Sequence, residues 1–414
     1  MLEFARTMLL AHLSLTNFRN FIRLEAALPA GPTLLLGANA QGKTSLLEAI
    51  HYLVAADSPH AASDRQLVNF LAQDEPTPVA RLVGEVQRAD RLVRVEIRLV
   101  LEKVNGEEPR LRKDILLNGV RRRVGDLAGL FNAVLFLPED LRVLEGPPAE
   151  RRRYLDLALS QADPHYAAAL AEYGRILTQR NALLKQLGEN AGGADQLEFW
   201  DHQATDAGAA LFRGRALAVR ELEGLAAPLH SELTHGAETL RLEYLPALPA
   251  VDPGDGQIGL PMPETTDWTS LPHAAWRDRF LSALVQLRPE DVQRGSTLVG
   301  PHRDELRFLS NGIDLRPYGS RGQNRTAIIS LKLAEVEWLR QRTGEWPVLL
   351  LDEVLAELDQ ERRRDLLARV ARSQQALLTS TDEALFDEGF RSRSTIWQIH
   401  AGRLQPAAER RPAP

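Results

Sequence analysis

The chain has 414 residues, more than a single ordinary hydrophobic core accommodates and enough for two or three domains. Hydrophobic residues make up 44% and charged residues 26%, which excludes an intrinsically disordered chain. A net charge of −6 means that any contact with nucleic acid requires a local basic patch. The absence of cysteine excludes disulfides, thiol chemistry and Cys-ligated metal sites.

The first third of the chain has strand and hairpin patterns around one helix. Apolar residues alternate over residues 9–15 and again over 93–101, which predicts two strands with one polar face each. Residues 33–36 form a short apolar run typical of a buried strand, and helical spacing begins at Ser45. Asn118-Gly119 follows another apolar run and is a strong signal for a two-residue hairpin.

The middle of the chain has a different composition. Residues 141–245 are rich in Ala, Leu, Arg and Glu with helical periodicity, so we expect helices there and no sheet. Residues 246–267 are rich in Pro and Gly and predict a linker. After residue 288 the alternation resumes, with helices over 327–339 and 366–370, strands over 348–351 and 376–378, and a hairpin over 396–402.

This layout predicts one α/β domain that is split in sequence around an inserted helical lobe. The expected segments are 1–140, the lobe 141–288, 289–404 and a disordered tail 405–414. Met8 opens the first strand pattern, so either Met1 or Met8 fits as the start, and residues 1–7 are treated as dispensable. We find neither a signal-peptide layout nor a run of about 20 apolar residues, which leads us to expect a cytoplasmic protein.

A phosphate-binding loop follows the second predicted strand. The pattern G-x-x-x-x-G-K-[ST] is matched in full by Gly37, Ala38, Asn39, Ala40, Gln41, Gly42, Lys43 and Thr44. Glycines let backbone N–H groups converge on phosphates, Lys43 brings a charge to the β and γ oxygens, and the Thr44 hydroxyl suits Mg²⁺. A glycine-containing turn is the alternative, but the position between a strand and a helix favours nucleotide binding.

Two acids end the buried strand at 348–351. A carboxylate at the C-terminal end of such a strand lies where α/β sheets place their chemistry. Asp352 is expected to hold Mg²⁺ through water, and Glu353 to activate the attacking water as general base. The alternative is that both acids only begin an exposed turn.

Ser320, Gly322 and Gln323 precede the helix at 327–339 and form the pattern S-x-G-Q. A serine and a glycine at a helix N-terminus bind anions, although a simple helix cap is the alternative. The order of phosphate loop, S-x-G-Q and acidic strand end resembles the ATP-binding-cassette (ABC) ATPases. That resemblance implies that Ser320 of one subunit closes over the γ-phosphate held by another. The absence of sustained heptads sets the chain apart from long coiled-coil SMC proteins.

Four further motifs resemble the RecF family of bacterial recombination-mediator ATPases. They are LTNFRNF at 15–21, FLPEDL at 136–141, the stretch 146–156 with RRRYLD, and GPHRD at 300–304. The resemblance covers about 8–403. The long 246–267 connection and the tail depart from it, and neither overlaps a motif.

The resemblance implies a P-loop ABC-type ATPase head, SMC-like, with an inserted helical lobe. It implies an ATP- and Mg²⁺-dependent protein that dimerises on single-stranded or gapped DNA, hydrolyses ATP slowly, helps to load RecA and supports the SOS response, with RecR and RecO as partners. It adds Arg19, Asn20 and Asp359 to the nucleotide site, beside Gly322 and Gln323. The switch residue stays open between Thr379 and Thr381, and residues 138–139 are candidates for the glutamine-loop role.

A basic hairpin is the candidate DNA contact. Six cations face the single acid Asp114 in this segment: Arg110, Arg112, Lys113, Arg121, Arg122 and Arg123. Such a hairpin can follow a phosphate backbone, while a solvated charged face is the alternative. Two other clusters, 151–153 and 362–364, carry the same ambiguity.

Two other functions remain open. A nucleotide-gated protein-interaction scaffold with incidental hydrolysis shares every motif above. A transporter-type motor is disfavoured, because the S-x-G-Q motif lacks the leucine and second glycine that such motors normally carry.

Overall fold

The computed structural model describes residues 8–89, 91–102, 110–189, 195–249 and 267–406. The chain divides into two compact units. The first comprises the described residues up to Asp140 together with those from Glu335 onward, and the second is Leu141–Ala334. None of the helices in the described ranges is both long and apolar enough to cross a membrane.

In chain order, the strands are Leu9–Phe18 (β1), Phe21–Ala27 (β2), Gly31–Leu36 (β3), Val79–Gln87 (β4), Leu92–Glu102 (β5), Arg110–Leu117 (β6), Val120–Arg122 (β7), Ala133–Phe136 (β8), Leu240–Leu245 (β9), Glu305–Ser310 (β10), Ile313–Asp314 (β11), Val348–Asp352 (β12), Gln375–Ser380 (β13), Thr395–His400 (β14) and Arg403–Pro406 (β15). The α-helices are Lys43–Ala55 (α1), Leu141–Glu145 (α2), Pro148–Ala162 (α3), Pro164–Glu189 (α4), Gln196–Leu233 (α5), His273–Arg294 (α6), Leu315–Tyr318 (α7), Arg321–Thr343 (α8), Gln360–Val370 (α9) and Glu388–Arg391 (α10).

Two sheets, each six-stranded in the described ranges, build the first unit. One has the order β15-β14-β3-β13-β12-β8, in which all neighbours are parallel except the β14–β15 hairpin. The other is antiparallel, with the order β2-β1-β4-β5-β6-β7. The strands predicted from alternation and from apolar runs are all present, and the Asn118-Gly119 hairpin joins β6 to β7 as expected.

Helix α1 packs into a core to which both sheets contribute. Its apolar residues Leu46, Leu47 and Ile50 are at most 1% exposed and belong to one cluster with side chains of both sheets. In the parallel sheet, Asp352 lies opposite Thr379 and Leu36 lies opposite Ser380. The register therefore brings the carboxyl ends of β3, β12 and β13 to one edge, beside the start of α1.

The second unit consists mainly of helices and also contains a sheet. Helix α5 has 38 residues, about 57 Å at 1.5 Å per residue. The expectation of helices without sheet over 141–245 was wrong, because β9 pairs with β10 over Leu240–Leu245. The β10 partner is about 60 residues further along the chain, so no local pattern reveals the pairing. It also keeps residues 289–334 in the second unit, whereas the sequence had placed the end of the lobe at 288.

Buried arginines hold the second unit together. Arg180 is fully buried and donates to Asp201 at 2.8 Å and to Asp291 at 2.7 Å. Arg215 donates to Asp156 at 2.8 Å and to Asp304 at 2.7 Å. Paired in this way, the charges avoid the cost of an isolated buried ion.

Three predicted segments extend beyond the described ranges. Residues 1–7, most of the 246–267 linker and residues 407–414 are outside them. The predicted tail began two residues too early, because Gln405 pairs with Gln398 and Pro406 with Trp397 in the β14–β15 hairpin.

Candidate functional site

The phosphate loop connects β3 to α1 and requires its glycines. Gly42 has φ 113°, in the region that favours glycine, and a Cβ there would lie 2.7 Å from the Asn20 amide nitrogen. At Gly37, a Cβ would lie 2.5 Å from the carbonyl oxygen of Ile399. Ala40 also has a positive φ, 63°. The backbone path that sequence reasoning expected is therefore specified by close packing.

Two turns hold this loop in place. The Asn20 side chain donates to the carbonyl of Gln41 at 3.0 Å, from the turn between β1 and β2. The backbone N–H of Gly402 donates to the same carbonyl at 3.1 Å, and that of Ala401 to the Gln41 side-chain oxygen at 2.8 Å. Asn20 and Gln41 thus position the loop, and Asn39 and Ala40 line the cavity above it.

Lys43 is the first residue of α1 and is 4% exposed. Its ammonium donates to the carbonyls of Gly37 at 2.8 Å and Ala38 at 3.0 Å. It also lies 3.0 Å from a carboxylate oxygen of Glu353. The ammonium is thereby aimed across the loop, at the edge of the sheet where β12 ends.

Asp352 is held by two threonine hydroxyls. Thr44 donates to one carboxylate oxygen at 2.8 Å and Thr379 to the other at 2.6 Å. The Thr379 hydroxyl also accepts the backbone N–H of Glu353 at 2.9 Å. Burial raises the pKa of Asp352 and nearby Glu353 adds to this, while the two hydroxyl bonds oppose it. Of the two switch candidates, Thr379 is thus committed to the acids, whereas Thr381 is exposed.

Arg19 forms a bidentate ion pair with Glu48 of α1. Its Nε and Nη2 donate to the two carboxylate oxygens at 2.7 and 2.6 Å, and Glu48 is 2% exposed. Asn69 donates to the Arg19 carbonyl at 2.6 Å. Sequence reasoning named Arg19 but missed Glu48 and Asn69. An acid among the apolar positions 46, 47 and 50 was the available signal for Glu48.

These groups surround a cavity of about 1070 Å³. Its polar lining includes Arg19, Lys43, Thr44, Asp352 and Glu353. Pro138 and Glu139, the candidates for the glutamine-loop role, line it as well. No group of three or more His, Asp or Glu side chains suited to a metal occurs in the described ranges. Thr44 and Asp352 nevertheless present two oxygens side by side, the donor type that Mg²⁺ prefers.

The S-x-G-Q motif is in the second unit and forms a capping box at the start of α8. The Ser320 hydroxyl accepts the backbone N–H of Gln323 at 3.2 Å, and the Gln323 side chain accepts that of Ser320 at 3.0 Å. Gln323 also donates to Glu238 at 3.1 Å, so its side chain is committed within its own unit. Ser320 is exposed. A Cβ at Gly322 would meet the Ser320 hydroxyl as its nearest atom, at 3.9 Å.

Asp359 begins α9 in the first unit. Its carboxylate accepts the backbone N–H of Arg362 at 3.0 Å and pairs with the same side chain. That N–H, together with the charge of Arg362, lowers the pKa of Asp359. The side chain is 53% exposed, so it combines a capping role with an accessible surface.

Comparison with known proteins places the chain in a family. The family model described as the RecF/RecN/SMC N terminal domain matches residues 9–402. The DNA replication and repair protein RecF of Roseiflexus castenholzii is 42% identical over 413 residues, 97% of this chain and 100% of that protein. The chain belongs to the RecF family of DNA replication and repair proteins.

Solved structures of RecF share the fold. The recombination mediator RecF with ATP, from the RecFOR pathway, matches with 31% identity and TM-score 0.83 over 99% of this chain and 100% of that one. The same protein with ATPrS gives TM-score 0.81 over 97% of this chain and 99% of that one. An SMC head domain from Pyrococcus furiosus, 14% identical with TM-score 0.52 over 97% of this chain and 96% of that one, shares the fold alone. The predicted ABC-type, SMC-like head is confirmed.

The RecF-type motifs of the second unit have structural roles. Arg151 is 2% exposed and pairs in bidentate fashion with Glu305. In GPHRD, the His302 Nδ1 lies 2.8 Å from the Tyr173 hydroxyl, and its Nε2 lies 3.0 Å from the Thr297 carbonyl oxygen. Burial lowers the pKa of His302 to about 4, and raises that of Asp304 to about 6. The His302 imidazole is thus held within its own unit by these two contacts.

The basic hairpin carries less uncompensated charge than the sequence indicated. Lys113 points inward, 2.6 Å from Asp64 and 2.6 Å from the carbonyl of Ala56 at the C-terminus of α1. Arg112 pairs with Glu102 as well as Asp114, and Arg121 pairs with Asp114. The expectation of one acid failed because folding brings Glu102 and Asp64 to the hairpin. Across the described residues, no ion pair engages Arg110, Arg122 or Arg123.

Proposed function

We propose that this RecF-family protein is an ATP-dependent DNA-binding protein of recombinational repair and replication-fork maintenance, acting in the cytoplasm. Two copies close around ATP on single-stranded or gapped DNA, help to load RecA and support the SOS response, with RecR and RecO as partners. The observation that carries the proposal is the arrangement of Lys43, Thr44, Asp352 and Glu353 at one edge of the sheet. The RecF–ATP structures support ATP as the ligand.

The phosphate loop would bind the triphosphate by exchange of partners. Lys43 leaves the carbonyls of Gly37 and Ala38 and its ion pair with Glu353, and turns to the β and γ oxygens. Backbone N–H groups from Gly37 to Thr44 and the positive end of α1 complete the anion site. Thr44 and Asp352 would hold Mg²⁺, which neutralises phosphate charge when bound.

Hydrolysis requires a positioned water and a base. Glu353 takes a proton from that water. The water oxygen then forms a bond to the γ-phosphorus, and the bond from phosphorus to the β–γ bridging oxygen breaks to release ADP. Thr379 orients both acids through its bonds to Asp352 and to the Glu353 N–H. A weak DNA-dependent ATPase results, in which hydrolysis reopens the dimer.

In the composite site, the exposed S-x-G-Q motif has a role. Ser320 of the partner subunit and the N-terminus of its helix α8 would cover the γ-phosphate bound at Lys43. Gly322 permits close approach, Gln323 fixes the serine through the capping box, and Asp359 meets the opposite copy. Exposure of Ser320 supports this arrangement, because a buried serine could not reach another subunit.

For DNA, we propose the outer hairpin. Arg122 and Arg123 are exposed and suited to phosphate contacts. Arg112 and Arg121 would contribute less because each is paired with an acid, and Lys113 would act by attaching the hairpin to α1.

Subunit mixing tests the composite site. Lys43→Ala and Ser320→Ala should each abolish hydrolysis alone, whereas an equimolar mixture should recover activity. In a heterodimer, one site combines both substitutions and the other is intact, so about a quarter of the unsubstituted activity is expected with free exchange between two-fold dimers. Ser270→Ala, on an exposed serine of the same unit, is the matched control.

Three results would oppose the proposal. No recovery on mixing would exclude a site shared between subunits. Light scattering that shows a monomer with saturating ATP and gapped duplex would exclude the dimer. If retention of the protein on DNA is unchanged in both Lys43→Arg and Glu353→Gln, the interaction-scaffold function is favoured instead.

A further inference from the structure

A cluster of polar side chains holds the start of α8 from within the second unit. At its centre is Glu238, in the connection between α5 and β9, with a side chain that is 19% exposed. One carboxylate oxygen accepts the Gln323 amide at 3.1 Å, and the other accepts the Ser310 hydroxyl at 2.9 Å. The second oxygen also lies 3.2 Å from Nε2 of His230, which is completely buried. Glu238 therefore joins α5, β10 and α8 at one point.

The backbone on both sides of Glu238 is restrained. The Thr234 hydroxyl, just after α5, accepts the Glu238 N–H at 3.3 Å. Asn311, in the turn between β10 and β11, donates to the Ala237 carbonyl at 3.2 Å and accepts the Thr239 N–H at 2.9 Å. One side chain thus binds the residue before Glu238 and the residue after it, so the carboxylate is presented from a fixed position.

The carboxylate of Glu238 is an acceptor and cannot donate. Burial raises its pKa, but the hydrogen bonds from Ser310 and Gln323, together with His230, outweigh burial and leave the pKa below its usual value. An ionised carboxylate has no hydrogen to give, so the NH₂ end of the Gln323 amide has to face it. The carbonyl end of that amide then faces the N–H of Ser320, which it accepts at 3.0 Å. Glu238 therefore selects one of the two orientations of this amide.

The selected orientation is the one that builds the capping box. With the amide reversed, its NH₂ group would meet the Ser320 N–H, and two donors would face each other without an acceptor. The Ser320 hydroxyl in turn accepts the backbone N–H of Gln323 at 3.2 Å, so the two residues restrain each other. The position of the exposed serine thus depends on an acid that lies behind it.

The same cluster contacts α8 again two turns further along. Nδ1 of His230 lies 3.4 Å from the Ser330 hydroxyl, and both residues are completely buried. Ser330 comes seven residues after Gln323, so the two contacts lie on one face of the helix. Contacts at two points on one face fix the rotation of α8, and with it the direction in which Ser320 points.

We propose that Glu238 is a positioning residue of the composite ATPase site, which fixes Gln323 and thereby holds Ser320 ready for the γ-phosphate of another copy. This inference rests on the proposed function, because Ser320 acts only on a nucleotide held by the opposite copy. Glu238 works through the S-x-G-Q motif and contacts none of the reacting atoms. Its contribution is preorganisation, which matters because a misplacement of about 1 Å can cost about 100-fold in rate.

Glu238→Gln tests the proposal with little change in shape. The new amide donates as well as accepts, so it no longer selects one orientation of Gln323. We expect kcat for ATP hydrolysis on DNA to fall about tenfold. The dissociation constant for ADP, which lacks the γ-phosphate, should stay within about twofold, because Lys43 belongs to the other unit. Glu290→Gln, on an exposed acid of α6 in the same unit, is the matched control.

Subunit mixing then locates the defect. Glu238→Gln mixed with Lys43→Ala should recover activity as the Ser320→Ala mixture does, because each heterodimer contains one intact site. Glu238→Gln mixed with Ser320→Ala should show no recovery, because every site would then contain a defective S-x-G-Q motif. A copy that had lost its fold would recover with neither partner.

The contrary outcomes are distinct. An unchanged kcat in Glu238→Gln would overturn the inference, and so would a failure to complement Lys43→Ala where Ser320→Ala succeeds. Weaker ADP binding together with a lower melting temperature would assign Glu238 to the stability of the fold and would also overturn it. If neither variant recovers with Lys43→Ala, the site shared between copies fails, and the proposed function fails with it.

Discussion

The ion pair between Lys43 and Glu353 predicts an unusual effect of removing an acid. A carboxylate oxygen of Glu353 lies 3.0 Å from the Lys43 ammonium, in a position that a phosphate oxygen could otherwise take. Nucleotide binding has to break this pair and bring phosphate oxygens towards a carboxylate. Glu353→Gln should therefore tighten nucleotide binding while it removes the general base.

The magnitude follows from distance and exposure. Two unit charges 3.0 Å apart interact by about 5 kcal/mol at an effective dielectric constant of about 20. Lys43 is 4% exposed but Glu353 is 35% exposed, so water screens the pair and reduces its net contribution. We expect a net gain of about 1–2 kcal/mol, or roughly 5- to 30-fold in affinity.

Calorimetric titration with a non-hydrolysable ATP analogue and Mg²⁺ measures the effect without interference from turnover. Glu388→Gln, an exposed acid of the same unit, makes the same change in net charge away from the cavity and should leave the affinity unaltered. Equal or weaker binding by Glu353→Gln would refute the idea that this ion pair competes with the phosphates.

Three further predictions concern stability and DNA. Arg180→Met leaves the buried Asp291 without its cation and Asp201 with Arg288 alone, and should cost about 3–5 kcal/mol and lower the melting temperature of the second unit by about 10 °C in calorimetry; a shift under about 2 °C would contradict this. The folded pKa of His302 is about 4, below its unfolded value of about 6.5, so its contribution of about 3 kcal/mol is present above pH 6.5 and lost as the pH falls towards 4. Chemical denaturation at several pH values should show a weaker pH dependence for His302→Gln, and an unchanged one would count against the assignment. Replacing Arg122 and Arg123 by serine should weaken DNA binding and reduce the slope of log affinity against log salt by about 2, whereas an unaltered slope would remove the hairpin from the interface.

Sequence alone determined the phosphate loop and most of the first unit. The loop pattern, the alternation of β1 and β5 and the Asn-Gly hairpin depend on backbone conformations that a few consecutive residues specify. The order of motifs along the chain was enough to indicate the family. Each of these signals is local, or is a simple sequence of local signals.

Partners that are distant in sequence could not be predicted in the same way. The strand β9 was missed because its partner strand β10 lies far along the chain from it. Lys113 was assigned to DNA although it contacts Asp64 and the end of α1. Glu48 was overlooked because its arginine partner lies 29 residues earlier. In each case the residue type was visible and its neighbour was not.

The candidate site illustrates the same division. Sequence identified Lys43, Thr44, Asp352 and Glu353 by type and position, but only the parallel register of β12 and β13 next to β3 brought Thr44 to 2.8 Å from Asp352 across 308 residues. Long polar side chains choose partners by proximity in space, and burial decides which charges must be compensated. Local chemistry therefore specified the loop, while the packing of the whole sheet decided which side chains face it.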